Sequence, residues 1–245
     1  MSTRPVCLTI GGSDSCGGAG IQADLRVFES LNVHGCSAIT ALTAQNPDGI
    51  RRIEAVSLAQ LDAELHAVFD YYDIAVVKTG MLLDAEHVAV VSALLQQLHH
   101  GQLVIDPVMM SSSGKQLLHH GAVDTVVQSL LPMATLLTPN LDEAAVLLGQ
   151  PVSDPVSAAQ SLAERLHCAV LLKGGHADGD MLMDVLCDRD GNVDEFTHAR
   201  QQWSLDQRHG TGCRLASAIS SHLAHQLPLH QAVEKAIIYL QGWPI

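Results

Sequence analysis

Residues 208–214, RHGTGCR, set a cysteine behind two glycines and between two arginines, at the head of the helical-looking run LASAISSHLAHQ. Four chemistries compete for such a stretch: a nucleophile, a metal ligand, a phosphate cradle or a plain helix start. Glycines ahead of a helix leave its first N–H groups bare, and the macrodipole favours an anion there. Cys213 in the first turn would feel the same field, which lowers a thiol pKa and supplies a thiolate usable as base or nucleophile. A zinc site is disfavoured, because no second cysteine or histidine stands at ligand spacing. Covalent catalysis has no base or orienter legible in the sequence. Local physics therefore favours an anion hole over Gly210-Thr211-Gly212 with Cys213 beside it, against the plainer reading of a buried helix-start cysteine.

Three other groups could serve the same chemistry. Lys78 and Lys173 each follow an apolar run, in VVKTGM and LLKGGH, so both are expected near a crevice, paired with phosphate or snorkelling. Asp106 in IDPVM, with Asp142 and Glu143 in TPNLDE, offers the hard oxygens that Mg²⁺ takes when it binds with a nucleotide. Asp142 and Glu143 equally suit the start of a helix. GGSDSCGGAGIQAD (11–24) has glycines that let backbone approach a flat ligand, but not the spacing of a dinucleotide fingerprint. Asp24 falls on the helix that follows, where it could point back to the crevice. The fourteen histidines receive no role.

The elements that must position these groups alternate. Strands are expected at 6–10, 36–44, 74–80, 103–109, 135–139 and 169–175, with helices near 18–32, 58–70, 85–99, 118–131, 141–148 and 155–167. Asp190-Gly191 marks a hairpin within 184–199, and two helices, 212–226 and 229–241, close the chain. This is the pattern of one α/β domain over residues 1–245, a mainly parallel sheet between helical layers, whose ligand crevice lies beyond the carboxyl ends of the strands. Hydrophobic residues make up 47% and aromatics only 3%, so the core is built of Val, Leu, Ile and Ala. A net charge of −13 disfavours nucleic acid and anionic membrane as partners. Six scattered cysteines, no signal-peptide core and no 20-residue apolar span point to a reduced, cytoplasmic protein.

Taken in order, LTIGGSDSCGGAGIQADL, ITALTAQN, VVKTGML, VIDPVM, TPNLDEAAVLLG, VLLKGGH and HGTGC resemble the hydroxymethylpyrimidine/phosphomethylpyrimidine kinases of thiamin biosynthesis, in the ribokinase-like superfamily. The resemblance runs from about residue 6 to 225. It implies a three-layer ribokinase-like fold and an ATP- and Mg²⁺-dependent kinase, commonly a homodimer. The substrate would be 4-amino-5-hydroxymethyl-2-methylpyrimidine, and in many members also its monophosphate. Carried over by position, Asp24 and Gln45 would hydrogen-bond the aminopyrimidine, while Gly11, Met81 and Val108 would line the ring pocket. Asn140 and Lys173 would serve the nucleotide, Asp106 and Glu143 the Mg²⁺, and Cys213 would act as base beside the Gly210-Thr211-Gly212 anion hole. The neighbouring readings are a pyridoxal or pyridoxine kinase and a paralogue that binds the pyrimidine without catalysis. Three departures stand out. Arg208 and Arg214 replace the threonines that usually flank HGTGC, either to pair phosphate or to stand in solvent. The segment 109–114, MMSSSG, lacks the lysine of the family's M-V-A-K-S-G, which bears on the second phosphorylation. The chain ends in GWPI where the family carries a glycine-rich tail.

Overall fold

The computed structural model describes residues 4–111, 115–174 and 180–242. The chain opens with β1 (Val6–Asp14), α1 (Gly20–Ser30), β2 (His34–Asn46), β3 (Gly49–Ala55), α2 (Leu58–Phe69) and β4 (Val76–Thr79). It continues through α3 (Ala85–Leu98), β5 (Gln102–Ile105), α4 (His120–Thr125), β6 (Leu136–Leu137), α5 (Leu141–Leu148), α6 (Pro155–Leu166) and β7 (Ala169–Leu172). The hairpin β8 (Met181–Cys187) and β9 (Val193–Ala199), then α7 (Leu205–Arg208), α8 (Thr211–Ala224) and α9 (Leu229–Gln241), complete it.

All nine strands form one sheet, in the order β3-β2-β1-β4-β5-β6-β7-β8-β9. The six central strands are parallel, and β3, β8 and β9 add antiparallel edges. Alternate strand residues face opposite helical layers. Leu8, Ile10, Val77, Leu103, Ile105, Val170 and Leu172 meet one apolar core, which includes Leu61, Leu65, Val88, Val91, Ala144 and Leu162 from α2, α3, α5 and α6. Cys7, Val76, Val104, Leu136 and Leu171 meet the other, built from Val27, Phe28, Leu215, Ile219, Val233 and Ala236 of α1, α8 and α9. Strands covered on both faces are continuous apolar runs, which is why the sequence announces them.

Several boundaries differ from the sequence reading, each for a local reason. β1 runs four residues past its apolar stretch, because Ser13 and Asp14 still pair with Leu42 and Thr43 beyond a register shift. β3 has no apolar run at all: it is an edge strand with Arg51, Arg52 and Glu54 exposed, joined to β2 by the turn at Pro47-Asp48. The run at 103–109 stops being strand at Ile105, ahead of Pro107 and of Val108, whose φ of 30° is strained for a β-branched residue. The helix expected over 118–131 is α-helical only to Thr125. It then widens into a π turn over Val126–Leu130 and tightens into a 3₁₀ turn over Leu131–Met133, where Pro132 has no N–H to continue the ladder. The Asp190-Gly191 hairpin forms as expected, with Gly191 left-handed at φ 84°. No helix among the described residues is long and apolar enough to cross a membrane.

Candidate active site

The chain steps outward from β1 to β2 and β3, then returns to β4 on the other side of β1 and proceeds to β7. That reversal opens a crevice beyond the carboxyl ends of β1 and β4, the usual ligand position in such sheets. Helix α8 packs across β1, β4 and β5, so its amino end arrives over the same crevice. Gly210 precedes it at φ 80°, and a Cβ there would overlap the carbonyl of Gly18. The first turn, Thr211-Gly212-Cys213, has no side-chain cap, leaving its N–H groups for an anion.

Facing this turn are Asp106, just after β5, and Lys173, just after β7. Lys173 Nζ donates to Asp106 Oδ1 at 3.0 Å. A Cβ on Gly212 would lie 3.4 Å from Lys173 Nζ and 3.8 Å from Asp106 Oδ2, so ammonium, carboxylate and helix start converge on one small space. Burial works against the Lys173 ammonium, but Asp106 and Glu143 outweigh it and raise its pKa, so the cation persists. Asp106 Oδ2 has no hydrogen-bond partner among the described residues.

Asn140 and Glu143 form a capping box on α5: Asn140 Oδ1 accepts the Glu143 N–H at 2.8 Å and Glu143 Oε2 accepts the Asn140 N–H at 2.9 Å. Glu143 Oε1 also accepts the Met109 N–H at 3.2 Å. Burial raises the Glu143 pKa, with Lys173 opposing. Glu143 therefore braces α5 against the loop after β5, each carboxylate oxygen accepting a backbone N–H. Asn140 keeps its side-chain NH₂ without a partner among the described residues.

On the other side of the crevice Met81 joins Ala41, Leu83 and Leu117 in a small apolar cluster against which Val108, Ile50 and Ile53 pack. Gly11 lies against Gly80 and the Met81 N–H, where a Cβ would make ordinary contacts at 3.6 and 3.7 Å. Gln45, near the end of β2, is half-buried, and its backbone exchanges hydrogen bonds with the Ser15 hydroxyl at 2.9 and 3.0 Å. The structure thus gathers Gly11, Met81 and Val108 along one wall, with Gln45 at the neighbouring strand end.

A family model described as phosphomethylpyrimidine kinase matches residues 14–243. The chain belongs to the phosphomethylpyrimidine kinase family. It is 42% identical over 242 residues to a hydroxymethylpyrimidine/phosphomethylpyrimidine kinase of Rhizobium meliloti, covering 97% of this chain and 89% of the relative. The crystal structure of phosphomethylpyrimidine kinase from Clostridium difficile 630 superposes with a TM-score of 0.84 at 34% identity, covering 97% of this chain and 98% of that one. Pyridoxal kinase from Staphylococcus aureus, in complex with AMP-PCP and pyridoxal, superposes with a TM-score of 0.86 at 28% identity, covering 99% and 91%.

Elsewhere in the site the structure also departs from the sequence reading. Lys78 is buried beneath the crevice rather than open to it, with Nζ 3.1 Å from the place a Cβ on Gly80 would take. Residue 78 shares the strand face of Val76, so its side chain enters the layer under α1 and α8, 1% exposed, and pairs with Asp24 at 2.9 Å. Asp24 is spent there too: Oδ2 accepts Thr9 Oγ1 at 2.6 Å as well as Lys78, and Oδ1 accepts Ser217 Oγ at 2.7 Å. With 1% exposure and three donors, it serves as the buried counter-ion of Lys78. Burial pushes the Cys213 thiol up to about 11, and the nearby Lys78 ammonium only partly offsets this. Desolvation beats the helix field, so the resting group is a neutral thiol, not the expected thiolate.

Arg214 is no phosphate clamp either. Its guanidinium donates to Gly18 O at 2.9 Å and Gln207 O at 3.3 Å, tying α8 to the loop after β1. Arg208 is exposed at the end of α7. The missing lid lysine and the GWPI ending fall partly in 112–114 and 243–245, outside the described residues. Sequence reasoning missed His209, whose Nε2 lies 2.8 Å from Asp14 Oδ2 across 195 positions of chain. No local pattern could have announced that pair.

Proposed function

We propose that this chain transfers the γ-phosphoryl group of ATP to the hydroxymethyl oxygen of 4-amino-5-hydroxymethyl-2-methylpyrimidine, and then phosphorylates the monophosphate. The observation that carries the reading is the convergence of Lys173, Asp106 and the bare first turn of α8 beside the Met81–Val108 wall. Phosphoryl transfer needs positioning and charge stabilisation more than covalent chemistry, and these groups supply both. The α8 N–H groups and the Lys173 ammonium stabilise charge growing on the equatorial oxygens. The apolar wall excludes water and holds the ring flat, and the Gln45 side chain is assigned to the aminopyrimidine edge.

Asp106 fits a Mg²⁺ ion, because Oδ2 is an unpaired hard oxygen within reach of the phosphate space, and one carboxylate plus waters and phosphates is an ordinary Mg²⁺ shell. Such an ion would neutralise the β- and γ-phosphate charge. Cys213 is assigned as the proton acceptor for the substrate hydroxyl. Since its thiol titrates at about 11, the thiolate fraction grows through the whole neutral range. kcat/KM is therefore expected to rise about tenfold per pH unit between pH 7 and 9. Cys213→Ser, which does not ionise there, should be slower and flat with pH. A flat wild-type profile removes Cys213 as the base.

Incubation of the purified chain with the pyrimidine alcohol, ATP and Mg²⁺ tests the assignment by mass detection of mono- and diphosphate. Product from the pyrimidine at a kcat/KM well above that for pyridoxal supports it. Preferred turnover of pyridoxal, or ligand binding with no product from a folded protein, overturns it. The reading includes a cytoplasmic homodimer, for which light scattering should give twice the chain mass.

A further inference from the structure

Asp14, Cys16 and His209 meet at the mouth of the crevice, and the kinase reading uses none of them. Asp14 ends β1 with its side chain 1% exposed. Its Oδ1 accepts the Cys16 N–H at 2.9 Å, and its Oδ2 accepts the Ala19 N–H at 2.7 Å. The same Oδ2 lies 2.8 Å from His209 Nε2 and 3.5 Å from Cys16 Sγ. One carboxylate oxygen, one thiol sulfur and one imidazole nitrogen thus all lie within 4.8 Å of one another.

We propose that Asp14, Cys16 and His209 form a binding site for a borderline transition-metal ion of the Zn²⁺ type, separate from the Mg²⁺–phosphate position at Asp106. The hydrogen-bond pattern is that of a site filled by protons: the Cys16 thiol and the His209 ring both turn onto the same carboxylate oxygen. Entry of the ion releases the Cys16 thiol proton to solvent, and the His209 proton shifts from Nε2 to Nδ1 by exchange with solvent, leaving a neutral imidazole that ligates through Nε2. The thiolate and the carboxylate together cancel the ion's two charges. A sulfur, nitrogen and oxygen set suits Zn²⁺ or Co²⁺, whereas Mg²⁺ keeps its waters rather than exchange them for thiolate and imidazole.

The geometry supports this beyond residue type. Two backbone N–H groups hold the Asp14 carboxylate in place, as outer-shell donors do around metal ligands. Cys16 is exposed, which gives the ion an entry path, and three protein ligands leave a fourth position for water. Tetrahedral ligands at about 2.0 Å from a metal stand roughly 3.3 Å apart. The Nε2–Oδ2 pair at 2.8 Å thus has to open by a few tenths of an ångström, within reach of a ring on a loop. The bound ion would join the end of β1 to the residue preceding Gly210, and so fasten the loop over 15–19 to the anion-hole turn.

Titration of chelator-stripped full-length protein with Co²⁺ tests the site. The wild type should saturate at one ion per chain with a thiolate-to-cobalt charge-transfer band in the near ultraviolet, displaced by equimolar Zn²⁺ and unmoved by millimolar Mg²⁺. Cys16→Ser should lose that band and bind at least tenfold more weakly, and His209→Asn should also bind at least tenfold more weakly. Cys213→Ser should keep the band, since its thiol belongs to the separate phosphate site. Absence of the band in the wild type, or a band that survives Cys16→Ser and vanishes in Cys213→Ser, overturns the proposal. The readout needs no turnover, so it stands apart from the kinase assignment.

Discussion

Replacing Gly212 with alanine is expected to leave the protein at least as stable as before and to cost about 10²–10³ in kcat. The two halves of that expectation have separate origins. Gly212 lies in the first turn of α8, its added Cβ would make only ordinary contacts, at 3.4 Å from Lys173 Nζ and 3.8 Å from Asp106 Oδ2, and alanine is the better helix former. The fold therefore has no reason to object. The methyl group would nevertheless stand between the ammonium, the carboxylate and the helix N–H groups, in the space assigned to the moving phosphoryl group. A coupled ADP-release assay and a thermal scan on the same preparation check both halves, and a kcat within threefold of wild type would move the phosphate site elsewhere. Gly210→Ala makes the contrast. At φ 80°, with the Gly18 carbonyl in the way of any Cβ, alanine there should lower both stability and turnover.

This contrast shows what the sequence could and could not disclose. The central strands were legible because each is buried on both faces, and the helices because their apolar stripes repeat. β3 was not legible, since an edge strand with Arg51, Arg52 and Glu54 facing water carries no apolar run. The uncapped start of α8 followed from glycines ahead of a helix. The state of Cys213 did not: helix field and desolvation oppose each other, and only the packed environment of the thiol decides between them. For Asp24 the signal was present. Ile21, Asp24 and Phe28 recur at spacings of three and four, so the carboxylate lies on the buried stripe of α1 rather than on a face turned to the crevice. Lys78 likewise sits at the parity of Val76, facing the same layer. The pairing of His209 with Asp14 could come only from the fold.

Asp24→Ala is expected to be the most destabilising single change near the site, at about 3–5 kcal/mol, because it strands the Lys78 ammonium under α1 and α8 with no counter-charge. For a chain of this size that is a fall in Tm of roughly 10 °C, at about 2–4 °C per kcal/mol. Burial opposes the Lys78 charge, and Asp24 is the foremost of the charges that outweigh it and raise the pKa, so its removal sets the ammonium against desolvation with Asp106 as the nearby carboxylate that remains. Removing both charges in Asp24→Ala/Lys78→Met should recover most of the loss, since a buried pair and an apolar replacement often come out even. Turnover should not recover with it. Lys78 is the cation that opposes desolvation of the Cys213 thiol, so its removal pushes that thiol higher still. A double variant with restored Tm and depressed kcat/KM, measured against Asp24→Asn, separates the structural role of this pair from direct substrate contact. If Asp24→Asn instead raises the KM for the pyrimidine at unchanged Tm, Asp24 is a substrate residue after all.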